Sequence, residues 1–297
     1  MKIAILSGKG GTGKTLLSIN LATVMASKVG TTYIDCDVEE PNGRIFLKPQ
    51  NVKEIQVGVK IPSIDKTKCT ACRKCVDFCK FNALAMIKDS VLVFDEVCHA
   101  CGGCSLVCES GAVSEKERIV GHIEVGNAQL SSIYSSKSVH LTAMTGIMKT
   151  GEVSGIPIIR KLLRNVKNEK NVIIDCPPGC ACVVMESIKD ADYCLLVAEP
   201  TIFGAHNLEM VYQLVTMFNK KFGVALNKVI DGDNPSKDFC ERHNIDIVGS
   251  IPFDKDIALL NSNGKIISLE NELYASYFNN ILTNIKNKIG GEEWDSY

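Results

Sequence analysis

The chain has 297 residues and a formal net charge of -1, which predicts one large domain or two modest ones. Hydrophobic residues make up 45% and charged residues 23%, an ordinary balance for a soluble globular protein that excludes a global basic field for nucleic acid or anionic membranes. No apolar run approaches the roughly 20 residues that span a bilayer, and the first residues lack the pattern of a signal peptide. We therefore expect a cytoplasmic protein that binds neither nucleic acid nor membranes.

Apolar runs alternate with helical patterns through most of the chain. Short buried strands are predicted at 2–7, 31–34, 171–174, 193–198, 224–227 and 245–251. Apolar residues at helical spacing predict helices at 15–25, 158–166, 206–218 and 274–289. Strands that alternate with helices form right-handed βαβ units. The pattern thus predicts an α/β fold with a parallel sheet covered on both faces.

A glycine-rich loop follows the first predicted strand and precedes the first predicted helix. Its residues are Gly8, Lys9, Gly10, Gly11, Thr12, Gly13, Lys14 and Thr15. They satisfy the phosphate-loop motif G-x-x-x-x-G-K-[ST] in the context that the motif requires. Backbone N–H groups and the helix N-terminus bind phosphate in such a loop. We expect Lys14 to contact the β- and γ-phosphates of ATP and the Thr15 hydroxyl to hold Mg²⁺.

The loop also carries a lysine at its second position, and its sequence K-G-G-T-G-K-T resembles that of the MinD/ParA/nitrogenase-iron-protein ATPases. This resemblance implies that Lys9 reaches the nucleotide of a partner subunit and that ATP drives formation of a homodimer. Asp37, after the second strand, resembles the first switch of that family and is our candidate for positioning the attacking water. The segment IIDCPPG resembles the second switch, in which Asp175 would hold Mg²⁺ through water and the Gly179 amide would sense the γ-phosphate.

Two later segments resemble the base-binding parts of the same family. Asn227, in ALNKV, resembles the adenine-reading asparagine, and Pro252 and Asp254 lie in the later base-contact loop. Another landmark is Glu199, which follows a further buried strand as in these ATPases. A single acidic residue could simply cap a strand or helix, but the ordered series favours an ATPase. Its expected catalytic residues are Lys9, Lys14, Asp37 and Asp175.

Eight of the fourteen cysteines form two runs with the spacing C-x2-C-x2-C-x3-C. Bacterial two-cluster ferredoxins have this spacing, and the fourth cysteine of each run ligates the other cluster. One predicted [4Fe–4S] cluster is therefore held by Cys69, Cys72, Cys75 and Cys108. The other is held by Cys98, Cys101, Cys104 and Cys79. Zinc would use pairs of C-x2-C and would leave the triplets unexplained.

The cysteine window interrupts the α/β alternation. It contains a pseudo-repeat, since DKTKCTACRKCVDFCKFNAL is echoed by FDEVCHACGGCSLVCESGAV. We expect residues 62–118 to form a small inserted α+β domain of the bacterial ferredoxin type, between ATPase parts at 1–61 and 119–297. Lys80 and Glu109 stand where the ferredoxin runs have proline, a departure that affects the local turn and the reduction potential.

The six remaining cysteines are Cys36, Cys176, Cys180, Cys182, Cys194 and Cys240. Cys182 lies at the same offset after Asp175 at which nitrogenase-type iron proteins place a ligand of their dimer-bridging cluster. Two copies of the Cys180/Cys182 pair could supply four ligands across a dimer. Buried or redox-sensitive thiols are the other interpretation.

The whole chain resembles MinD-superfamily P-loop ATPases that carry an inserted ferredoxin domain. This resemblance implies ATP, Mg²⁺ and two [4Fe–4S] clusters as cofactors, and a redox or apoprotein partner. Permanent ligation of the clusters by ferredoxin-type cysteines favours ATP-gated electron transfer or redox sensing, because carriers usually hold a labile cluster at a subunit interface. The alternatives are an iron–sulfur scaffold or carrier like the Mrp proteins, and a MinD/ParA-like spatial organiser with redox-sensing clusters.

Overall fold

The computed structural model describes residues 1–132 and 138–290. The strands are β1 (Lys2–Leu6), β2 (Thr32–Asp35), β3 (Gln50–Ile64), β4 (Leu84–Ile87), β5 (Ser90–Val93), β6 (Val113–Ser131), β7 (Ser138–Met148), β8 (Val172–Asp175), β9 (Tyr193–Ala198), β10 (Phe222–Val229) and β11 (Ile247–Pro252). The helices are α1 (Lys14–Ala26), α2 (Gly43–Leu47), α3 (Lys74–Phe78), α4 (Gly103–Leu106), α5 (Ile156–Asn165), α6 (Cys182–Ile188), α7 (Ile202–Met217), α8 (Pro235–Arg242), α9 (Lys255–Ser262), α10 (Ile267–Glu270) and α11 (Glu272–Ile289). Residues 291–297, the end of the predicted second ATPase part, lie outside the described residues.

The main sheet has the strand order β11-β10-β9-β1-β8-β2-β7-β6-β3. The seven strands from β11 to β7 are mutually parallel, whereas β6 runs antiparallel to both β7 and β3. Central strands such as β1 and β8 are buried on both faces, which their continuous apolar sequences favour. The predicted parallel-sheet α/β class is confirmed, with an antiparallel extension that the α/β pattern did not reveal.

Two apolar clusters hold helices on the two faces of the sheet. One contains Leu162 of α5, Val184 of α6 and Val211 of α7. The other contains Leu21 of α1 and Phe278 of α11. The amphipathic C-terminal helix therefore packs on the sheet. Among the described residues, no helix has the length and apolar character needed to cross a membrane.

Strands β3 and β6 form a long two-stranded antiparallel unit, which we call the ribbon. Their pairing runs from Gln50 opposite Asn127 to Ile64 opposite Val113. The segment between the paired ends contains α3, the antiparallel pair β4–β5, a 3-10 turn (Asp95–Val97) and α4. The expected boundaries at 61/62 and 118/119 thus fall inside β3 and β6, because the ribbon continues the main sheet into the cysteine-rich segment.

The cysteine-rich segment repeats one arrangement, strand–helix–strand, in its two halves: β3, α3 and β4, and then β5, α4 and β6. The two helices pack closely because Gly103 of α4 leaves room for the ring of Phe78 in α3. Its buried apolar groups are small, with Ile61, Ala83 and Cys98 in one and Cys75, Leu84 and Val91 in the other. These few side chains supply far less buried area than the two clusters of the main sheet.

Candidate functional site

The phosphate loop lies between β1 and α1, where the carboxyl end of a central parallel strand meets a helix N-terminus. Gly13, the residue before α1, has a φ of 93°, and a side chain there would run into Asn227. Glycine satisfies both the left-handed backbone and the close approach. The Thr12 hydroxyl donates to the Lys9 carbonyl at 3.1 Å and so closes the loop on itself.

Lys14 is buried at the centre of the site. Its Nζ lies 2.5 Å from Oδ1 of Asp175, which ends the neighbouring strand β8 and is fully buried. The Tyr33 hydroxyl donates to the other oxygen of Asp175 at 3.0 Å. Burial lowers the pKa of Lys14, but the Asp175 carboxylate outweighs it and the pKa is raised. The structure therefore joins two of the predicted catalytic residues in one buried ion pair.

Two further aspartates lie beside this pair: Asp35 ends β2, and Asp37 follows it two residues later. Asp35 is buried and accepts hydrogen bonds from the amides of Asp37 at 3.1 Å and Gly43 at 2.9 Å. Burial and the charge of Asp175 raise the pKa of Asp35 to about 7. Asp37 lines the open cleft, and burial raises its pKa to about 6, so its carboxylate is mostly ionised at neutral pH.

Lys9 makes an ion pair within its own chain. Its Nζ lies 3.2 Å from Oε2 of Glu199, the residue after β9. Lys228 approaches Oε1 of the same carboxylate at 2.6 Å and donates to the Gly11 carbonyl at 2.8 Å. One carboxylate thus holds two lysines beside the phosphate loop. The side chain of Lys9 remains 40% exposed, so it can leave this pair without unfolding the loop.

A cleft of about 580 Å³ opens beside the loop, a size typical of small-molecule sites. The loop residues that line it are Lys9, Gly10, Gly11, Gly13, Lys14 and Thr15. Asp37, Asn227, Pro252 and Asp254 also line it, from the ends of β2, β10 and β11. Apolar groups including Phe46 and Phe253 form part of its wall. The cleft combines a phosphate-binding end with an apolar surface that suits a nucleobase.

Several predicted nucleotide ligands have partners within the chain. The Asn227 amide donates to the Thr12 carbonyl at 2.8 Å. Asp254 caps α9 by accepting from the amide of Asp256 at 2.7 Å. The Gly179 amide donates to the Ser7 carbonyl at 2.9 Å. A γ-phosphate would have to displace this last bond before Gly179 could sense it.

Residues 65–112, which join the two strands of the ribbon and which we call the ribbon end, carry eight cysteines that line two separate cavities. One is lined by Cys69, Cys72, Cys75 and Cys108. The other, of about 130 Å³, is lined by Cys79, Cys98, Cys101 and Cys104. We call the cysteines of the first cavity the distal group and those of the second cavity the proximal group. This grouping follows the crossed pattern, because the fourth cysteine of each run lies with the first three cysteines of the other run.

The eight cysteines of these two groups form no disulfide bonds. Burial raises the pKa of Cys75, Cys98 and Cys104, whereas the hydrogen bond with Ser110 lowers the pKa of Cys108. A bound metal deprotonates coordinating thiols irrespective of such shifts. Thiol-only donor sets are the ligands that iron–sulfur clusters use.

The other cysteines divide into two sets. Four are buried in the main sheet and its helices, where burial raises their pKa: Cys36, Cys176, Cys194 and Cys240. Cys180 is partly exposed and Cys182, the first residue of α6, is exposed. Of these six cysteines, Cys180 and Cys182 are therefore the two that are accessible to a partner.

Some residues of the site were not singled out by the motifs. Asp35 belongs to the sequence D-C-D that resembles the first switch, but that resemblance assigns a role only to Asp37, and Tyr33, earlier in the same strand, belongs to no motif. Lys228 follows Asn227 directly, but its contact with Glu199 depends on the pairing of β9 with β10.

The strand order, the loop between β1 and α1, and the carboxylates at the ends of β2 and β8 define a P-loop nucleotide-binding protein. Residues 3–267 match the family described as the CobQ/CobB/MinD/ParA nucleotide binding domain. The chain belongs to this family.

The chain is also similar to particular proteins. An uncharacterized protein of Methanocaldococcus jannaschii is 31% identical over 284 residues, which cover 92% of this chain and 95% of that protein. The cell division ATPase MinD of Pyrococcus furiosus has a similar structure, with a TM-score of 0.58 and 16% identity over 96% of this chain and 98% of that one. The septum site-determining protein MinD of Pyrococcus horikoshii, complexed with Mg-ADP, has a TM-score of 0.58 and 16% identity, with 97% of each chain covered. The fold is therefore that of MinD-like P-loop NTPases.

Proposed function

We propose that this protein is an ATP-hydrolysing, nucleotide-switched homodimer whose ribbon end carries two [4Fe–4S] clusters. In this proposal residues 62–118 act as a ferredoxin-like unit, and the nucleotide state of the ATPase governs electron transfer or redox sensing by the clusters. The single observation that carries the proposal is the crossed grouping of eight thiols in two cavities, at the end of a ribbon whose strands belong to the same sheet as β1, the strand before the phosphate loop.

The donor atoms of both cavities suit the clusters. Each cavity is lined by four cysteines, the ligand set of a [4Fe–4S] cluster. The proximal cavity is also lined by the apolar residues Ala83 and Leu84, which limit access by water. When bound, each cluster would supply one-electron transfer. The thiols of the chain would fix its position and the surrounding groups would set its reduction potential.

On the nucleotide side, the buried ion pair supplies the switch. A triphosphate would take Lys14 from Asp175, because phosphate oxygens offer it more negative charge. Asp175 would then lack its counter-ion in a buried position, which is costly unless a cation such as Mg²⁺ replaces the lysine. Thr15 lines the cleft beside Lys14 and would be a direct ligand of that Mg²⁺.

Hydrolysis would use positioning more than covalent chemistry. Asp37 reaches the cleft with a pKa of about 6, so at neutral pH its carboxylate can orient a water molecule for attack. Lys9 would leave Glu199 and cross to the nucleotide of the partner subunit. Two such lysines would neutralise phosphate charge and tie the dimer to the presence of ATP.

The test is a measurement of iron and acid-labile sulfide per chain on protein purified without oxygen, together with ATP turnover. We expect about eight irons and eight sulfides per chain, the content of two four-iron clusters, and Mg²⁺-dependent ATP hydrolysis. Iron near zero after anaerobic purification and attempted reconstitution would refute the cluster part. Absence of nucleotide turnover with iron present would refute the ATPase part.

A second candidate is an iron–sulfur carrier with a cluster bridging the dimer. It is favoured by the exposure of Cys182 at the start of α6, close in sequence to Asp175. Half of a shared four-iron cluster would raise the iron content to about ten per chain. That excess should disappear in Cys182→Ser while the other eight irons remain. A spatial organiser related to MinD and ParA proteins would share the ATPase and the dimer.

A further inference from the structure

Arg118 occupies an unusual position for a charged residue. It lies in β6 at the base of the ribbon, and its side chain is only 15% exposed. Its Nη1 donates to Oε1 of Glu152 at 2.7 Å, and its Nη2 donates to the carbonyl of Cys98 at 3.5 Å. One guanidinium thus contacts both a cysteine of the proximal group and a carboxylate of the ATPase part.

The bonding of Arg118 is incomplete. Its Nε is buried and has no hydrogen-bond partner. A buried donor without an acceptor is costly, so such groups call for an explanation. The bond from Nη2 to the Cys98 carbonyl places the positive charge of Arg118 beside the proximal group, where it would stabilise a negatively charged group bound by these cysteines.

Glu152 lies on a loop whose two ends contact Val38, the residue after Asp37 of the nucleotide cleft. This loop joins β7 to α5, and the Glu152 side chain is 7% exposed. Val38, which follows Asp37, accepts a hydrogen bond from the Met148 amide at 2.9 Å. Val38 also packs so closely on Gly155 that a side chain at Gly155 would collide with it. A shift of Asp37 and Val38 would therefore press on both ends of the loop that carries Glu152.

We propose that Arg118 is a positioning residue that links the nucleotide site to the proximal cysteine group through Glu152. Its positive charge favours the reduced state of a cluster in that group, and Glu152 limits the effect by neutralising part of the charge. Movement of the Asp37–Val38 segment changes the hold of Glu152 on Arg118 and so changes the reduction potential. This inference rests on the proposed function, since it requires a cluster in the proximal group.

The redox step is the transfer of one electron. A low-potential one-electron donor, dithionite in the experiment, is oxidised, and the cluster becomes more negative by one charge. No protein bond forms or breaks in this step. Nearby positive charges and hydrogen bonds raise the potential of iron–sulfur clusters.

The experiment is an anaerobic redox titration of the full-length protein, followed by electron paramagnetic resonance. Arg118→Gln should lower the midpoint potential of one of the two clusters by at least about 59 mV, a tenfold change in its reduction equilibrium. Glu152→Gln should shift the same signal in the opposite direction, since it leaves the Arg118 charge without its counter-ion. Opposite signs are the signature of the electrostatic link, because simple loss of a structural ion pair would move both variants the same way.

Matched controls separate charge from packing. Arg118→Lys keeps the charge and should retain most of the wild-type potential even if its geometry is poorer. Lys80→Gln removes a positive charge from the exposed rim of the same cavity and should shift the potential less than Arg118→Gln. If Arg118→Gln fails to fold, Glu152→Gln still tests the proposal, because an absent or downward shift of its potential would overturn it.

The link to the nucleotide site is tested by titrating each protein with and without Mg-ADP. The wild-type signal should shift on nucleotide binding, and the shift should fall at least about threefold in Glu152→Gln while nucleotide affinity is retained. Unchanged potentials in both variants, or an unchanged nucleotide shift, would overturn the inference even though the protein holds eight irons. Protein without iron would refute the proposed function as well, so the two failures are distinguishable.

Discussion

The nucleotide site and the ribbon end are built on different physical foundations. The phosphate loop stands on a parallel sheet whose faces are covered by two large apolar clusters. At the ribbon end, two small groups of buried side chains accompany eight cysteines. The first site is held by the fold, whereas the second requires a further source of stability. Under our proposal, the bound clusters provide it, as metals do in other small domains.

Under our proposal, the same chain separates folding from ligand binding at the nucleotide site and combines them at the ribbon end. Loss of nucleotide chemistry should leave the main sheet intact, because its core lies outside the cleft. Under our proposal, loss of a cluster should loosen the ribbon end, because the cluster would form part of its core.

The largest effect is expected for Lys14→Ala. Removal of the phosphate-binding ammonium should lower ATP turnover by roughly a thousandfold, the scale of a lost transition-state contact. Iron content should stay at the wild-type level, because Lys14 lies outside the ribbon. Steady-state phosphate release and iron analysis on the same preparation measure both. Substantial turnover in the variant would overturn the assignment of the loop.

Lys9→Ala should separate nucleotide binding from assembly. We expect ATP affinity within about threefold of wild type, with turnover lower by roughly a hundredfold, since the lysine would act only across the dimer. Analytical ultracentrifugation with and without Mg-ATP measures the dimer. Glu199→Gln is the matched control, because it breaks the ion pair within the chain and keeps Lys9. An ATP-dependent dimer of Lys9→Ala would contradict its role across the interface.

The pH dependence of hydrolysis should report on Asp37. Burial raises its pKa to about 6, and the ionised form is the one that can orient water. The value of kcat/KM should therefore be constant above that pKa and fall about tenfold per pH unit below it. Asp37→Asn should lower turnover and abolish this acidic limb. The same limb in the variant would assign the titration to another group.

Cys72→Ala should affect the ribbon end and spare the nucleotide site. Cys72 is exposed, so the substitution removes a ligand without opening a cavity in the core. We expect loss of about four irons per chain and faster amide exchange in α3 and β4–β5. ATP affinity should change less than about threefold. Thr70→Ala is the control, since it alters an exposed residue beside the same cavity that carries no thiol, and equal iron loss in both variants would remove the distinction.

Local motifs account for the parts of the molecule that could be predicted from the sequence. The loop from Gly8 to Thr15 and the parallel-sheet class follow from contiguous patterns, and both the class and the nucleotide-binding fold are confirmed. The two cysteine runs are equally local, and their spacing anticipates which thiols share a cavity. Their ligation of clusters stays a prediction.

Long-range pairing accounts for what could not be predicted. The contact of Lys9 with Glu199 requires the neighbouring positions of β1 and β9, and that of Arg118 with Glu152 requires the antiparallel pairing of β6 with β7. Neither pair has a spacing signature, because residues distant in sequence meet only when the strand order is known. Likewise, the alternation of charged and apolar residues from Gln50 to Ile64 gave no indication of its partner strand.

The ribbon also has a consequence for the folding pathway. Thr32 of β2 pairs with Thr142 of β7, so the sheet cannot close there until a long stretch of chain has been brought together. Loop-closure entropy and high contact order make such parallel pairings slow. Pairing of β3 with β6 places Gln50 beside Asn127, so a chain in which the ribbon has already formed has a shorter loop left to close. Slower refolding with unchanged unfolding, in variants that weaken the ribbon pairing, would place it in the folding nucleus.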